Sequence, residues 1–310
     1  MDFYFSSLMP TTLEADFLCT KPNGCVLLSQ LNDRPQIEKW IERNKVNENK
    51  VKLFIDSGAY TCWTKGIPID IDEHIQYINS ISDYVSCYAS LDVIPGKPGT
   101  ATIPTQQESI EASDKSWENY LYMRKRIKHP DKLLYTFHIG EDYKYLKNAL
   151  EYSDELGQVG YLGLGGVVGK NDDDIISFLD KCFEIIKDSP NPNIRVHTFG
   201  MTRFSTLTQF PIYSTDSTTY IQKGAFGSIM IDNITLPISD NSELDDRNII
   251  NRNPAIKEVL NRELTKRNMT LEELQTSRDK RVLFNCMSYY DLMQTYKYVP
   301  RIKTITTDLW

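Results

Sequence analysis

Carboxylates standing where apolar runs end are the residues of this sequence best placed to do chemistry. Asp56 follows Val51–Ile55 (VKLFI) and opens the segment DSGAY, Asp92 follows YASL, and Asp216 lies in YSTDSTTY. An ionised carboxylate can stabilise an oxocarbenium-like sugar carbon or attack it to form a covalent adduct. A carboxyl whose pKa is tuned by its pocket can pass protons to a departing group. His138, within LLYTFHI, and His197, within RVHTFGM, fall at similar ends, as does the run GLGGVVG at 163–169. Glycines such as Gly165 and Gly166 let a flat ligand approach the backbone and hydrogen-bond to it. The run is not a dinucleotide fingerprint, because it comes late in the chain and lacks GxGxxG spacing in a first βαβ unit. Ser57, Gly58 and Tyr60 belong to the DSGAY element, and Tyr60, Trp63, Tyr88 and Tyr161 are aromatic residues that could stack on a base or sugar.

Each of these residues also has a purely structural reading. Asp or Ser after a strand commonly caps a helix or closes an Asx turn. The histidines can be satisfied core residues, the glycine run a tight βα turn or a phosphate cradle, and the aromatics ordinary packing. The basic run Arg124–Lys128 (RKRIK) reads as a solvated helix end more readily than as a nucleic-acid contact.

Positioning such residues together requires elements that converge. Apolar runs predict strands at Cys25–Gln30, Val51–Ile55, Tyr84–Leu91, Leu133–Ile139, Val159–Leu164, Arg195–Phe199, Pro211–Ser214 and Arg281–Asn285. Between them, amphipathic or charged segments predict helices at Arg34–Asn44, Asp72–Ile81, Thr105–Lys128, Tyr143–Tyr152, Asp172–Lys187 and Arg203–Gln209, with helical pattern again over Asn253–Thr276. About eight strands alternating with helices predict a parallel sheet covered by helices. Closed, this is a TIM (β/α)8 barrel whose active site is built at the C-terminal strand ends; an open doubly wound sheet is the rival. We read 1–310 as a single barrel domain, with 228–280 an insertion or helical elaboration and Ser228–Arg252 a long loop within it.

Composition narrows the classes. With 310 residues, 40% of them hydrophobic, the chain can bury a full-sized core. A net charge of −7 argues against a non-specific nucleic-acid coat, though not against a local basic patch. The six cysteines are scattered without CxxC or zinc-site spacing, so reduced thiols and a cytoplasmic location are expected. The start, MDFYFSSLMP, lacks the pattern of a signal peptide, and no apolar stretch is long enough to span a membrane.

Four elements, in order, resemble the tRNA-guanine transglycosylase superfamily and its DNA-acting deazaguanine relatives: IDSGAY at 55–60, LD at 91–92, GLGGVVG at 163–169, and RVHTFGM at 195–201 ahead of YSTDSTTY at 213–220. The resemblance implies a TIM barrel that exchanges guanine for a 7-deazaguanine base in a nucleic acid, host-cytoplasmic if phage-encoded, through an aspartyl-glycosyl intermediate and without a redox or metal cofactor. By that likeness Asp216 is the nucleophile, Asp56 transfers protons, Asp92 reads the amidine edge of the base, and Gly165 and Gly166 supply backbone beside it. His138 falls near a position where the family commonly has a base-contacting glutamine. The sequence departs from the tRNA enzymes in having DSGAY for DSGGF and no Cys-rich zinc segment, which favours DNA over tRNA as partner, in phage or bacterial DNA modification. A homodimer or accessory DNA-modification proteins are further partners to expect. Two other readings stay open: a nucleosidase-like barrel enzyme acting on a small N-glycosidic substrate, and a non-catalytic subunit that binds nucleic acid or protein.

Overall fold

The computed structural model describes residues 1–97, 104–239 and 253–299. Eight parallel strands close into a barrel: β1 (Asp2–Ser6), β2 (Cys25–Ser29), β3 (Lys52–Asp56), β4 (Cys87–Ala89), β5 (Leu133–His138), β6 (Tyr161–Gly165), β7 (Arg195–Thr198) and β8 (Ser214–Ser217). They lie in sequence order around the barrel, and β1 pairs with both β2 and β8 to complete it. This is the expected TIM barrel, an architecture typical of enzymes.

Alternation along each strand divides the residues between two environments. Tyr4, Cys25, Leu27, Phe54, Cys87, Ala89, Leu134 and Tyr161 fill the barrel interior. Their neighbours Phe3, Phe5, Val26, Leu28, Leu53, Ile55, Tyr135 and Leu162 pack outward, in a larger cluster that includes residues of the surrounding helices. The helices are α1 (Leu13–Cys19), α2 (Gln30–Val46), α3 (Ala59–Lys65), α4 (Ile71–Ile81), α5 (Gln106–Arg124), α6 (Tyr143–Glu151), α7 (Asp172–Lys187), α8 (Phe204–Leu207), α9 (Thr219–Ala225), α10 (Pro254–Arg267), α11 (Leu271–Thr276) and α12 (Arg278–Gln294). Local chemistry sets several of their starts. The Thr105 hydroxyl accepts from the Glu108 N–H while the Glu108 carboxylate accepts from the Thr105 N–H, a reciprocal cap on α5, and Asp70 and Asn171 cap α4 and α7.

Three strand assignments differ from the sequence expectation. The first strand is Asp2–Ser6, ahead of the expected one at Cys25. Only five residues long, DFYFS alternates Tyr4 into the barrel with Phe3 and Phe5 toward the helices, so both faces are aromatic and no polar/apolar alternation marks it. Conversely, Arg281–Asn285 lies inside α12. A short apolar run has no period of its own; here Val282, Cys286, Tyr289 and Met293 recur at helical spacing and pack on the main core. The last barrel strand is Ser214–Ser217, shifted past the expected Pro211–Ser214, which puts Asp216 within the strand.

The region after Gly227 begins with an antiparallel hairpin, Ser228–Ile231 with Ile234–Pro237, where a loop was expected. Residues 240–252, the remainder of that expected loop, lie outside the described residues. The hairpin shares a small second core with α10, α11 and one face of α12. Asn285 ties this elaboration to the barrel, accepting from the Met230 N–H and donating to the carbonyls of Tyr220 and Ser228.

Candidate active site

The strand alternation that fills the barrel also builds its mouth. Two residues beyond an inward-facing residue the side chain points inward again, so Phe54 predicts Asp56, Tyr4 predicts Ser6, Tyr161 and Gly163 predict Gly165, and Ser214 predicts Asp216. His138 follows Leu134 and Thr136 by the same rule. Strand register places Ser29 beside Asp56, His138 beside Gly165, and Tyr4 beside Asp216. Polar side chains therefore form the last inward layer, over an apolar plug.

Of the three strand-end aspartates, Asp216 has the most hydrogen-bond donors around it. Only 8% exposed, it accepts from the Ser6 hydroxyl at Oδ2 (2.6 Å). Its Oδ1 accepts from the Gly200 N–H (2.8 Å) and faces His197 Nε2 (3.3 Å). Gly200 has φ +69°, and a Cβ there would meet the Val168 side chain at 2.6 Å, so glycine is needed to bring this N–H to the carboxylate.

Asp56 stands at the end of β3 and accepts from the Gly58 N–H (2.9 Å). Burial, the nearby charge of Asp92 and, more weakly, that of Asp216 raise its carboxyl to a pKa of about 7, against the backbone N–H donors of Gly58 and Ser57. Gly58 adopts φ +79°, and a Cβ there would approach Leu31 and the Ser29 hydroxyl to within 3 Å (2.8 and 2.9 Å). The DSG turn is thereby locked beneath the start of α3.

Asp92 accepts from the Ser57 hydroxyl (3.2 Å) and lies against His138 Nε2 (3.2 Å). The other nitrogen of His138, Nδ1, meets Glu141 at 3.0 Å. Burial alone would lower the His138 pKa, but the hydrogen bonds and charges of Asp92 and Glu141 outweigh it and raise it to about 10. His138 is thus an imidazolium donating to a carboxylate from each nitrogen. Gly165 makes room for it, since a Cβ there would sit 2.8 Å from His138 Cδ2. Gly166, at φ +75°, turns the backbone out of the strand immediately afterwards.

The structure thus brings together Asp56, Asp92, Asp216, Ser57, Gly58, His138, Gly165 and Gly166 at one mouth. His197 lies deeper: it is fully buried, edge-on to Phe54 and Phe199, with both nitrogens in hydrogen bonds to protein groups. Its contact is with Asp216, which corrects the expectation that it touches substrate directly. Tyr60 is 68% exposed on the first turn of α3, its ring alongside Trp63. Tyr88 faces away from the mouth, packing in the outer core and donating to the His129 carbonyl. In the basic run, Arg124 is buried and paired with Asp154 at 3.0 Å, contrary to its expected solvation.

Beside Asp92 a cleft of about 560 Å³ opens between α3 and the loop after β4, lined by Trp63, Ile67, Ile71, Leu91 and Asn119. Polar partners of these residues that the sequence did not reveal are Ser6, Glu141, Ser214 and the Gly200 N–H; Tyr161, expected as a stacking aromatic, is buried in the barrel with its hydroxyl on Ser214. Ser6 and Ser214 share inward parity with recognised residues, a signal available once β1 and β8 are placed. Among the described residues, no group of three His, Cys, Asp or Glu side chains is arranged to hold a metal ion. No helix among them is long and apolar enough to cross a membrane. No protein-family profile and no curated protein matches this chain.

Proposed function

We propose that the protein exchanges bases at an N-glycosidic bond: Asp216 attacks the sugar carbon, Asp56 moves protons on the bases, and Asp92 reads a guanine-like edge. The observation that carries this reading is the division of labour among three carboxylates at one mouth. Asp216 is fixed by three donors, which suits an ionised, oriented nucleophile. Asp56, with a pKa of about 7, is poised to give a proton to a leaving base and recover it from an entering one. Asp92, whose two oxygens each take one donor from the protein (Ser57 and His138), keeps acceptor capacity for the paired N–H donors of a guanine or 7-deazaguanine amidine edge.

The polymer we favour is DNA, because the sequence lacks the Cys-rich segment of the tRNA enzymes it resembles. A base within a duplex must be flipped out to reach a mouth of this kind. The test is incubation with labelled guanine or a 7-deazaguanine and either DNA or tRNA, followed by mass analysis of the nucleosides. Incorporation into DNA that vanishes in D216N supports the proposal, whereas full exchange by D216N refutes the nucleophile assignment. A second reading, a free nucleoside as substrate, is favoured by the mouth itself, where Asp56, Asp92, Glu141 and Asp216 outnumber the one imidazolium of His138. Release or exchange of base from free nucleosides, with neither polymer labelled, selects it.

A further inference from the structure

Below the nucleophile a chain of hydrogen bonds crosses three adjacent strands. The Tyr161 hydroxyl of β6 lies 2.5 Å from Ser214 Oγ of β8. That Oγ is 2.7 Å from His197 Nδ1 of β7, whose Nε2 faces Asp216 Oδ1. Tyr161, Ser214 and His197 are all buried. We infer that this chain runs in one direction, Tyr161 to Ser214 to His197 to Asp216, and fixes His197 as the Nε2–H tautomer that positions the nucleophile.

The direction follows from donor accounting. Ser214 is the one hydrogen-bond partner of the Tyr161 hydroxyl among the described residues, and a buried O–H left unpaired is costly. Tyr161 therefore donates to Ser214. The Ser214 proton then goes to His197 Nδ1, which must be the bare nitrogen. The ring proton is left on Nε2, where the carboxylate of Asp216 accepts it.

The relay makes the two oxygens of Asp216 unequal. Oδ1 receives both the Gly200 N–H and His197 Nε2–H, whereas Oδ2 receives the Ser6 hydroxyl alone. With about two lone-pair directions on each oxygen, Oδ2 keeps one free. Resting on the base-exchange reading, Oδ2 forms the bond to the sugar carbon as the glycosidic C–N bond breaks, its electron pair leaving with the base, which takes a proton from Asp56. Oδ1 becomes the ester carbonyl and keeps its two N–H donors, ready to receive charge again when the entering base displaces the carboxylate. His197 is thus a positioning residue acting through Asp216.

The chain contains four histidines, so a long-range ¹H–¹⁵N spectrum of [¹⁵N]histidine-labelled protein can resolve each ring. His197, assigned by its loss in H197Q, is expected to carry its proton on Nε2 only, and a proton on Nδ1 overturns the inference. In S214A the tautomer becomes mixed and kcat falls about tenfold at constant KM, with S214T restoring both. Wild-type kcat together with an unmixed spectrum in S214A overturns it. Should S214A fail to fold, Y161F serves, with partial Nδ1 protonation expected and an unchanged spectrum refuting the relay. The spectrum needs no turnover, so absence of base exchange defeats the catalytic reading while the tautomer still decides the relay.

Discussion

Replacing Asp56 by Asn should make the protein more stable at high pH and leave it nearly unchanged at low pH. The folded carboxyl has a pKa of about 7, raised by burial and by Asp92, against about 3.9 in an unfolded chain. The folded state therefore binds more protons than the unfolded state between those values. The stability that Asp56 contributes is fully present below about pH 4 and is lost as pH rises through about 7. The displacement corresponds to about 4 kcal/mol. Asp56 keeps part of its surface open at the mouth, so solvent screening brings the expected effect nearer about 2 kcal/mol. Asparagine matches the neutral carboxyl in shape and hydrogen bonding and never acquires the charge. Urea unfolding at pH 3.5 should give wild type and D56N within about 0.5 kcal/mol of each other; at pH 8.5, D56N should be ahead by about 2 kcal/mol. The same gap at both pH values would show that Asp56 does not carry a raised pKa, and its proton-transfer role would go with it. In the wild-type protein, base exchange that needs protonated Asp56 should slow as pH rises past about 7.

His138, with a pKa raised to about 10 by Asp92 and Glu141 against its burial, contributes stability that is complete below its unfolded value of about 6.5 and lost as pH rises through about 10; NMR should find it doubly protonated at pH 8. E141Q removes one of its carboxylates and should move that titration down toward neutrality, while an unmoved His138 would break the link. Gly165→Ala places a methyl group 2.8 Å from His138 Cδ2 and should displace the ring, costing about 1–3 kcal/mol of stability in thermal unfolding and lowering kcat/KM. Asp154→Ala leaves Arg124 buried without its ion-pair partner and should cost about 3 kcal/mol in urea unfolding, with kcat unaffected because the pair lies outside the mouth.

The sequence by itself determined the architecture and the carboxylates. Strand-and-helix alternation is a local signal, repeated often enough that a parallel sheet covered by helices follows even with individual strands misplaced, while its closure into a barrel rests on the pairing of β1 with β8. Asp56, Asp92 and Asp216 were legible because an acidic residue at the end of an apolar run stands out against its neighbours. The termini were harder to read. DFYFS at 2–6 is aromatic on both faces and too short to show a period, and RVLFN at 281–285 is apolar enough for a strand but belongs to a helix whose repeat extends beyond it. A run of five residues cannot choose between periods of 2 and 3.6; the choice was made by pairing with β8 in one case and by packing against the barrel in the other.

Only the tertiary structure decided what the carboxylates are. Asp216 becomes a rigidly held carboxylate through Ser6, His197 and Gly200, at sequence separations of 210, 19 and 16. Asp56 acquires a near-neutral pKa because Asp92 and burial reach it through space. His197, which by sequence could face substrate or sit in the core, is buried because its inward parity sets it among Phe54 and Phe199, below the polar layer. Residue type and strand position are written along the chain. Protonation state and hydrogen-bond direction depend on neighbours that come together only when β1 meets β8 and closes the barrel.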